Sequence, residues 1–218
     1  MITVLNTDYV IETTTDYDVQ VTIPSFECPI GTTLLVIESS YVGAVNHEVS
    51  YNGNLAQSVL QTVNAYSYTT IWYIQNPGIV TDDIVLQSLG ESSGRRVCAY
   101  AISGTPTVGS PVDSTAEYNF DVSEGISTEI ITNTDGCLII DGVTTYSVID
   151  PVGSETVVYI DDSADTLGGS QYFLQTTAGS KFMTWFWQGE NSTAHTLVAF
   201  KADVPAANNN NQFLLFFK

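Results

Sequence analysis

The chain has 218 residues, 44% hydrophobic and 13% charged, with 24 acidic side chains against 5 basic ones and a net charge of −19. Nucleic-acid backbones and anionic membranes are held chiefly by Lys and Arg. A chain offering only Arg95, Arg96, Lys181, Lys201 and Lys218 is therefore a poor partner for either, while its one-signed charge supplies solubility and repulsion between copies.

Residues 1–25, MITVLNTDYVIETTTDYDVQVTIPS, contain no Lys or Arg and no apolar core, so no secretory signal is expected. No apolar run approaches the roughly twenty residues that cross a bilayer as a helix. Residues 1–18 read as an N-terminal segment. The first clear strand is DVQVTI, where Val19, Val21 and Ile23 share one face and Gln20 and Thr22 the other. TLLVIES, residues 33–39, is almost continuously apolar and β-branched, the composition of a central strand.

Turn signals then recur about every ten residues. They include Asn52-Gly53, Asn76-Pro77-Gly78, Ser103-Gly104, Asp135-Gly136, Asp141-Gly142 and Gly168-Gly169. Between them lie the strand candidates EVSYN, TIWYIQ, DIVLQS, RVCAYAI, EYNFDV, TEIIT, CLIID, TTYSVI, TVVYID, QYFLQT, KFMTWFW and HTLVAF. No segment of a dozen residues keeps a helical period. The pattern predicts an all-β, antiparallel sandwich or barrel over residues 19–202.

Residues 203–218 read differently. A proline and four asparagines, Asn208 to Asn211, precede Phe213, Leu214, Leu215, Phe216 and Phe217, all apolar. A polar spacer followed by a short apolar strand predicts an extended arm that docks on a partner, the alternative being a segment that folds back as an ordinary last strand of its own sandwich.

The order GTTLLVIES, VSYNGNLAQ, IWYIQNPGIVTDDIVLQS, RRVCAYAISG and HTLVAFKA resembles a family of jelly-roll β-sandwich domains found in phage virion proteins and bacterial surface proteins. The resemblance covers roughly residues 19–202 and rests on turns and strands rather than catalytic signatures. It implies a jelly-roll-type sandwich at a virion surface, in a capsid decoration protein or a fibre or spike.

The sequence carries no GxSxG, HExxH or GxxxxGK motif. His47 and His195 lie far apart without metal-site or triad spacing, and His47, in NHE, reads as a solvated loop residue. Cys28, Cys98 and Cys137 have apolar neighbours and no CxxC spacing, as buried free thiols do. Asp161, Asp162 and Asp165, with Glu155 nearby, offer hard oxygen ligands without EF-hand spacing, so a solvated acidic loop is expected rather than a Ca²⁺ site. In KFMTWFWQG, Trp185 and Trp187 fall on one face about 6.8 Å apart along a strand. They predict either a glycan-stacking platform or, because Phe182 and Phe186 make the other face apolar too, a strand between a core and a subunit interface.

These readings lead to a non-enzymatic, cofactor-free structural protein of a bacteriophage-like virion surface. Its partners are copies of itself and a capsid or fibre protein. The alternative is an adhesion module recognising cell-surface glycans.

Overall fold

The computed structural model describes residues 1–12, 20–41, 46–64, 66–78, 80–89, 93–119, 121–122, 124–147, 149–161, 167–189 and 191–203. The expected arm, including Phe213 to Phe217, lies outside the described residues apart from Asp203, as do Asp162 and Asp165.

Among the described residues there is no helix, and the strands fall into two consecutive sets. The first comprises β1 (Thr3–Glu12), β2 (Gln20–Cys28), β3 (Thr32–Tyr41), β4 (Asn46–Tyr51), β5 (Asn54–Leu55), β6 (Gln57–Asn64), β7 (Ser67–Gln75), β8 (Val80–Leu89) and β9 (Ser93–Ser103). The second comprises β10 (Val112–Tyr118), β11 (Asp121–Val122), β12 (Ile126–Thr132), β13 (Cys137–Thr145), β14 (Asp150–Val152), β15 (Thr156–Asp161), β16 (Leu167–Gln175), β17 (Gly179–Phe186), β18 (Asn191–Ser192) and β19 (Ala194–Phe200).

Each set builds its own antiparallel sandwich, and the two have one topology. The first pairs a sheet β1-β9-β3-β7-β6 with a sheet β2-β8-β4-β5. The second pairs β10-β19-β13-β16-β15 with β12-β17-β14, leaving β11-β18 as a small separate ladder. Leaving the two-residue strands β5, β11 and β18 uncounted, in both the first strand pairs with the last, the second with the penultimate, and the third lies between the last and the strand two before it. This is jelly-roll winding carried out twice. One departure is visible: the jelly roll's fifth strand lies on the larger sheet. In the first sandwich, β5 still pairs with β4 before the chain crosses at Ala56 to pair β6 with β7. Ala56 N–H donates to Val49 O at 2.8 Å at that corner.

The expected single sandwich over residues 19–202 is thus two sandwiches. The expected N-terminal segment is also corrected in part, because β1 pairs with β9 from Thr3↔Ser103 to Glu12↔Arg95. Polar Asn6, Thr7 and Asp8 interrupt its alternation, since this strand forms an edge and only part of one face is covered.

The two five-stranded sheets face each other, so the molecule has four layers. Leu34, Val36, Val49, Ile84 and Leu86 fill the first sandwich. Leu35, Ile37, Tyr100, Leu138, Ile140 and Phe200 fill the space between sandwiches. Met183, Leu197, Trp185 and Trp187 belong to the clusters that fill the second. Strands β3 and β13 are covered on both sides, which is why their sequences are apolar without alternation.

Toward one end the central seam turns polar: Thr196 donates to Thr62 at 2.7 Å, and Thr144 donates to Tyr68 O at 2.9 Å. The predicted Asn52-Gly53 turn forms with φ of 50° and 69°, the left-handed pair a two-residue hairpin needs. Asn52 Nδ2 donates at 3.2 Å to Pro77 O, tying this turn to the Asn76-Pro77 corner.

All four edge strands of the facing sheets carry a register shift: β1 near Leu5, β6 near Val59, β10 near Asp113 and β15 near Val158. Such bulges break the flat row of unpaired backbone groups that invites another chain to pair.

Candidate functional site

The second sandwich holds a sealed polar cluster around Asp141 on β13. Its Oδ1 accepts from the backbone N–H of Gln171 at 2.9 Å. Its Oδ2 accepts from Gln171 Nε2 at 2.9 Å and Trp185 Nε1 at 2.9 Å, and lies 3.1 Å from His195 Nε2. A carboxylate only accepts, so in the neutral ring Nε2 carries the proton and Nδ1 accepts from the Thr128 hydroxyl at 2.9 Å. Five strands thereby meet at one carboxylate or one imidazole away from it.

A hydroxyl, an imidazole and a carboxylate in line form the relay that activates a nucleophile. Here all three side chains are buried in the sandwich. None lines the groove between Val4–Thr7 and Thr156–Val158, or the hollow lined by Ser147, Asp150, Phe186, Trp187 and Gln188. What the geometry does show is a cross-link: the three side chains tie β12, β19 and β13 together. Asp141 and His195 are 54 residues apart, and no local motif announces their meeting.

The first sandwich has a counterpart. His47 sits on β4 with its Nδ1 2.6 Å from Glu38 Oε2, and both side chains are buried, which corrects the solvated-loop reading. The NHE triplet looks like a turn, but β4 pairs with β8 across it and turns the imidazole inward. Its ring lies 5.1 Å from that of Tyr68. Burial pushes the Arg95 guanidinium below its ordinary pKa, while the carboxylates of Glu38 and Glu12 pull it back up.

Asp161 is also no solvated loop residue. It is buried, and Arg96 Nε donates to its Oδ2 at 2.5 Å across the seam between sandwiches. Glu155 pairs with Lys181 at 2.5 Å. Among the described residues no group of three or more His, Cys, Asp or Glu side chains could hold a metal ion. Cys28, Cys98 and Cys137 are free and buried, and burial pushes all three thiols up.

Trp185 and Trp187 are 0% and 1% exposed, so neither indole can stack on a sugar in this structure. They fill the core against Ile126, Val143 and Ile149, with a Cβ on Gly169 placed only 2.7 Å from Trp185. The glycan-platform reading loses its platform because this face of β17 turns into the sandwich.

The opposite face is open. On the outer side of β12-β17-β14, Ile131, Phe182, Val152 and Phe186 are 60%, 52%, 47% and 40% exposed. Ile131 pairs opposite Ser180, Val152 opposite Thr184 and Asp150 opposite Phe186. Those registers make Ile131 and Phe182, Phe182 and Val152, and Val152 and Phe186 diagonal neighbours, within reach of one another. The result is a diagonal apolar ribbon across the outer sheet.

No family model, curated protein or solved structure matches this chain.

Proposed function

We propose that this chain is a structural subunit of a bacteriophage-like virion, decorating the capsid or forming part of a fibre or spike, with no enzymatic role. The observation that carries this reading is the doubled jelly-roll body, whose buried acid-histidine pairs are enclosed and whose outer sheet exposes the Ile131–Phe182–Val152–Phe186 ribbon. Jelly rolls recur in viral capsid and lectin domains, which is an argument from analogy of fold. Burial of Trp185 and Trp187 removes the feature that favoured the lectin alternative.

The mechanism is mechanical. Four packed layers make a stiff body, bulged edges discourage indiscriminate sheet growth, and a large negative charge keeps free copies apart. Contact with a neighbouring copy or with the shell then falls to the apolar ribbon, where burying a Phe or Ile side chain yields about 1.5–3 kcal/mol.

The test is fractionation of a producing culture on a density gradient, with quantitative mass spectrometry across the fractions. Co-migration with intact particles at a fixed copy number supports the reading. Confinement to the soluble fractions, with none on particles, overturns it.

A further inference from the structure

We infer that the outer sheet β12-β17-β14 binds an extended, basic segment of another protein, seating one arginine or lysine beside Glu129 and Phe182 and a second beside Asp150 and Phe186. The register brings these residues together. Glu129 pairs directly opposite Phe182, and Asp150 directly opposite Phe186, so each phenylalanine of the ribbon has a carboxylate as its cross-strand neighbour on the same face. The two pairs lie roughly 13 Å apart along β17 at strand rise, with Val152 opposite Thr184 between them.

Glu129 and Asp150 are both exposed, and among the described residues neither forms an ion pair. The Ser180 hydroxyl donates to Glu129 Oε1 and holds that carboxylate on the face. Asp150 and Phe186 line a hollow of about 360 Å³ together with Ser147, Trp187 and Gln188, where a guanidinium can enter beside the ring.

The protein already uses this chemistry on the other side of the same sheet. Lys181, the one basic residue of these three strands, turns inward. Its Nζ lies 3.9 Å from the centre of the Phe173 ring and 2.5 Å from Glu155 Oε1, a cation held by an aromatic face and a carboxylate at once. The outer pairs offer the ring and the carboxylate to a cation from elsewhere.

A second copy is a poor source of that cation. Arg95 and Arg96 are buried, Lys181 is engaged, and each copy carries −19. Charge complementarity therefore selects a basic chain. The fold itself does not require the ribbon: the corresponding outer sheet of the first sandwich turns Gln20, Thr22, Glu48 and Gln87 outward, and Leu55 is its one exposed large apolar side chain among the described residues. In an extended ligand, two basic side chains four residues apart meet the two carboxylates and the residue midway between them meets Val152, a basic-x-apolar-x-basic pattern. Basic docking rests on the ribbon being the proposed contact face, but not on the partner belonging to a virion.

The test is fluorescence anisotropy of the full chain with a labelled seven-residue peptide carrying arginine at its second and sixth positions, valine at its fourth and threonine elsewhere, at low ionic strength. Saturable binding is expected, weakened at least about tenfold by Glu129→Gln/Asp150→Asn and less than about twofold by Glu27→Gln/Glu48→Gln, which removes the same charge from the first sandwich's outer sheet. A peptide with its two arginines adjacent is expected to bind more weakly. Equal weakening by the two double variants would show attraction to net charge alone and overturns the site, as does a parent chain that binds no peptide. In that last case, self-association seen by sedimentation and abolished by Phe182→Ser would overturn the basic partner while leaving the ribbon a contact face; a parent chain that also stays monomeric would remove support from both.

Discussion

His195 and Asp141 meet at the centre of the second sandwich, with Nε2 3.1 Å from Oδ2 and both side chains at zero exposure. The carboxylate also satisfies Gln171 and Trp185, so removing it strands several buried donors at once. Breaking a buried pair by deleting one partner costs about 3–5 kcal/mol. Asp141→Ala is expected to fall in that range by urea denaturation. Trp185→Phe, which keeps most of the ring and removes a single donor, is expected to lose about 1 kcal/mol from the hydrogen bond plus a packing contribution. An Asp141→Ala variant as stable as the parent would show that the cluster does not hold the sandwich together.

Gly142 lies on β13 directly against the facing sheet. A Cβ there would sit 2.5 Å from Ile37 Cγ2 and 2.7 Å from Thr69 Cγ2. Gly142→Ala therefore forces the sandwiches apart, at about 1–3 kcal/mol for overpacking. Ile37→Ala alone opens a cavity, at about 2–5 kcal/mol. Combined, the two should cost less than their sum by about 0.5–3 kcal/mol, because the added methyl occupies the space vacated. Strict additivity in thermal or urea unfolding would place the sheets farther apart than described.

The three thiols give a pH signature. Burial raises the pKa of Cys28, Cys98 and Cys137, so the folded state favours their protonated forms. That contribution is fully present below the unfolded thiol value of about 8.5 and is lost as pH rises toward the folded values. Tyr68, Tyr100 and Tyr159 shift upward through burial and act in the same direction at higher pH. The expected melting temperature is level from pH 7 to about 8.5 and falls above it. In the native protein a thiol reagent should react no faster than unfolding exposes the sulfurs. Immediate modification of any of the three without denaturant would contradict their burial.

Much of the architecture is legible in short stretches. Val19, Val21 and Ile23 alternate with polar neighbours, and from Val21 on β2 has that alternation, with Val21 and Ile23 inward. Leu34 to Ile37 lack alternation because β3 has a layer on either side. Asn52-Gly53 sets its turn through backbone sterics alone. β6 has no such signature, since Gln57, Ser58 and Gln61 dilute its apolar positions at a sheet edge.

The candidate sites are less legible in the sequence because their partners lie far apart in the chain. Arg96 and Asp161 are 65 residues apart, and the jelly-roll winding brings them together across two sheets. His47 looks like a loop residue from its polar neighbours, although Glu38 on the adjoining sheet accounts for its burial. The alternation around Trp185 separates two faces, but periodicity does not say which face turns inward. Phe182 is exposed and Trp185 buried because Gly169 leaves room for the larger indole.

The most direct measurement of the central claim, a structural place on a virion surface, is immunogold labelling of intact, purified particles with antibodies raised against the folded protein. The account predicts regularly spaced gold on undisrupted particles, lost when the antibody is first absorbed with the free protein. Particles that carry no label either intact or after gentle disruption, while soluble extract binds the antibody, would contradict it.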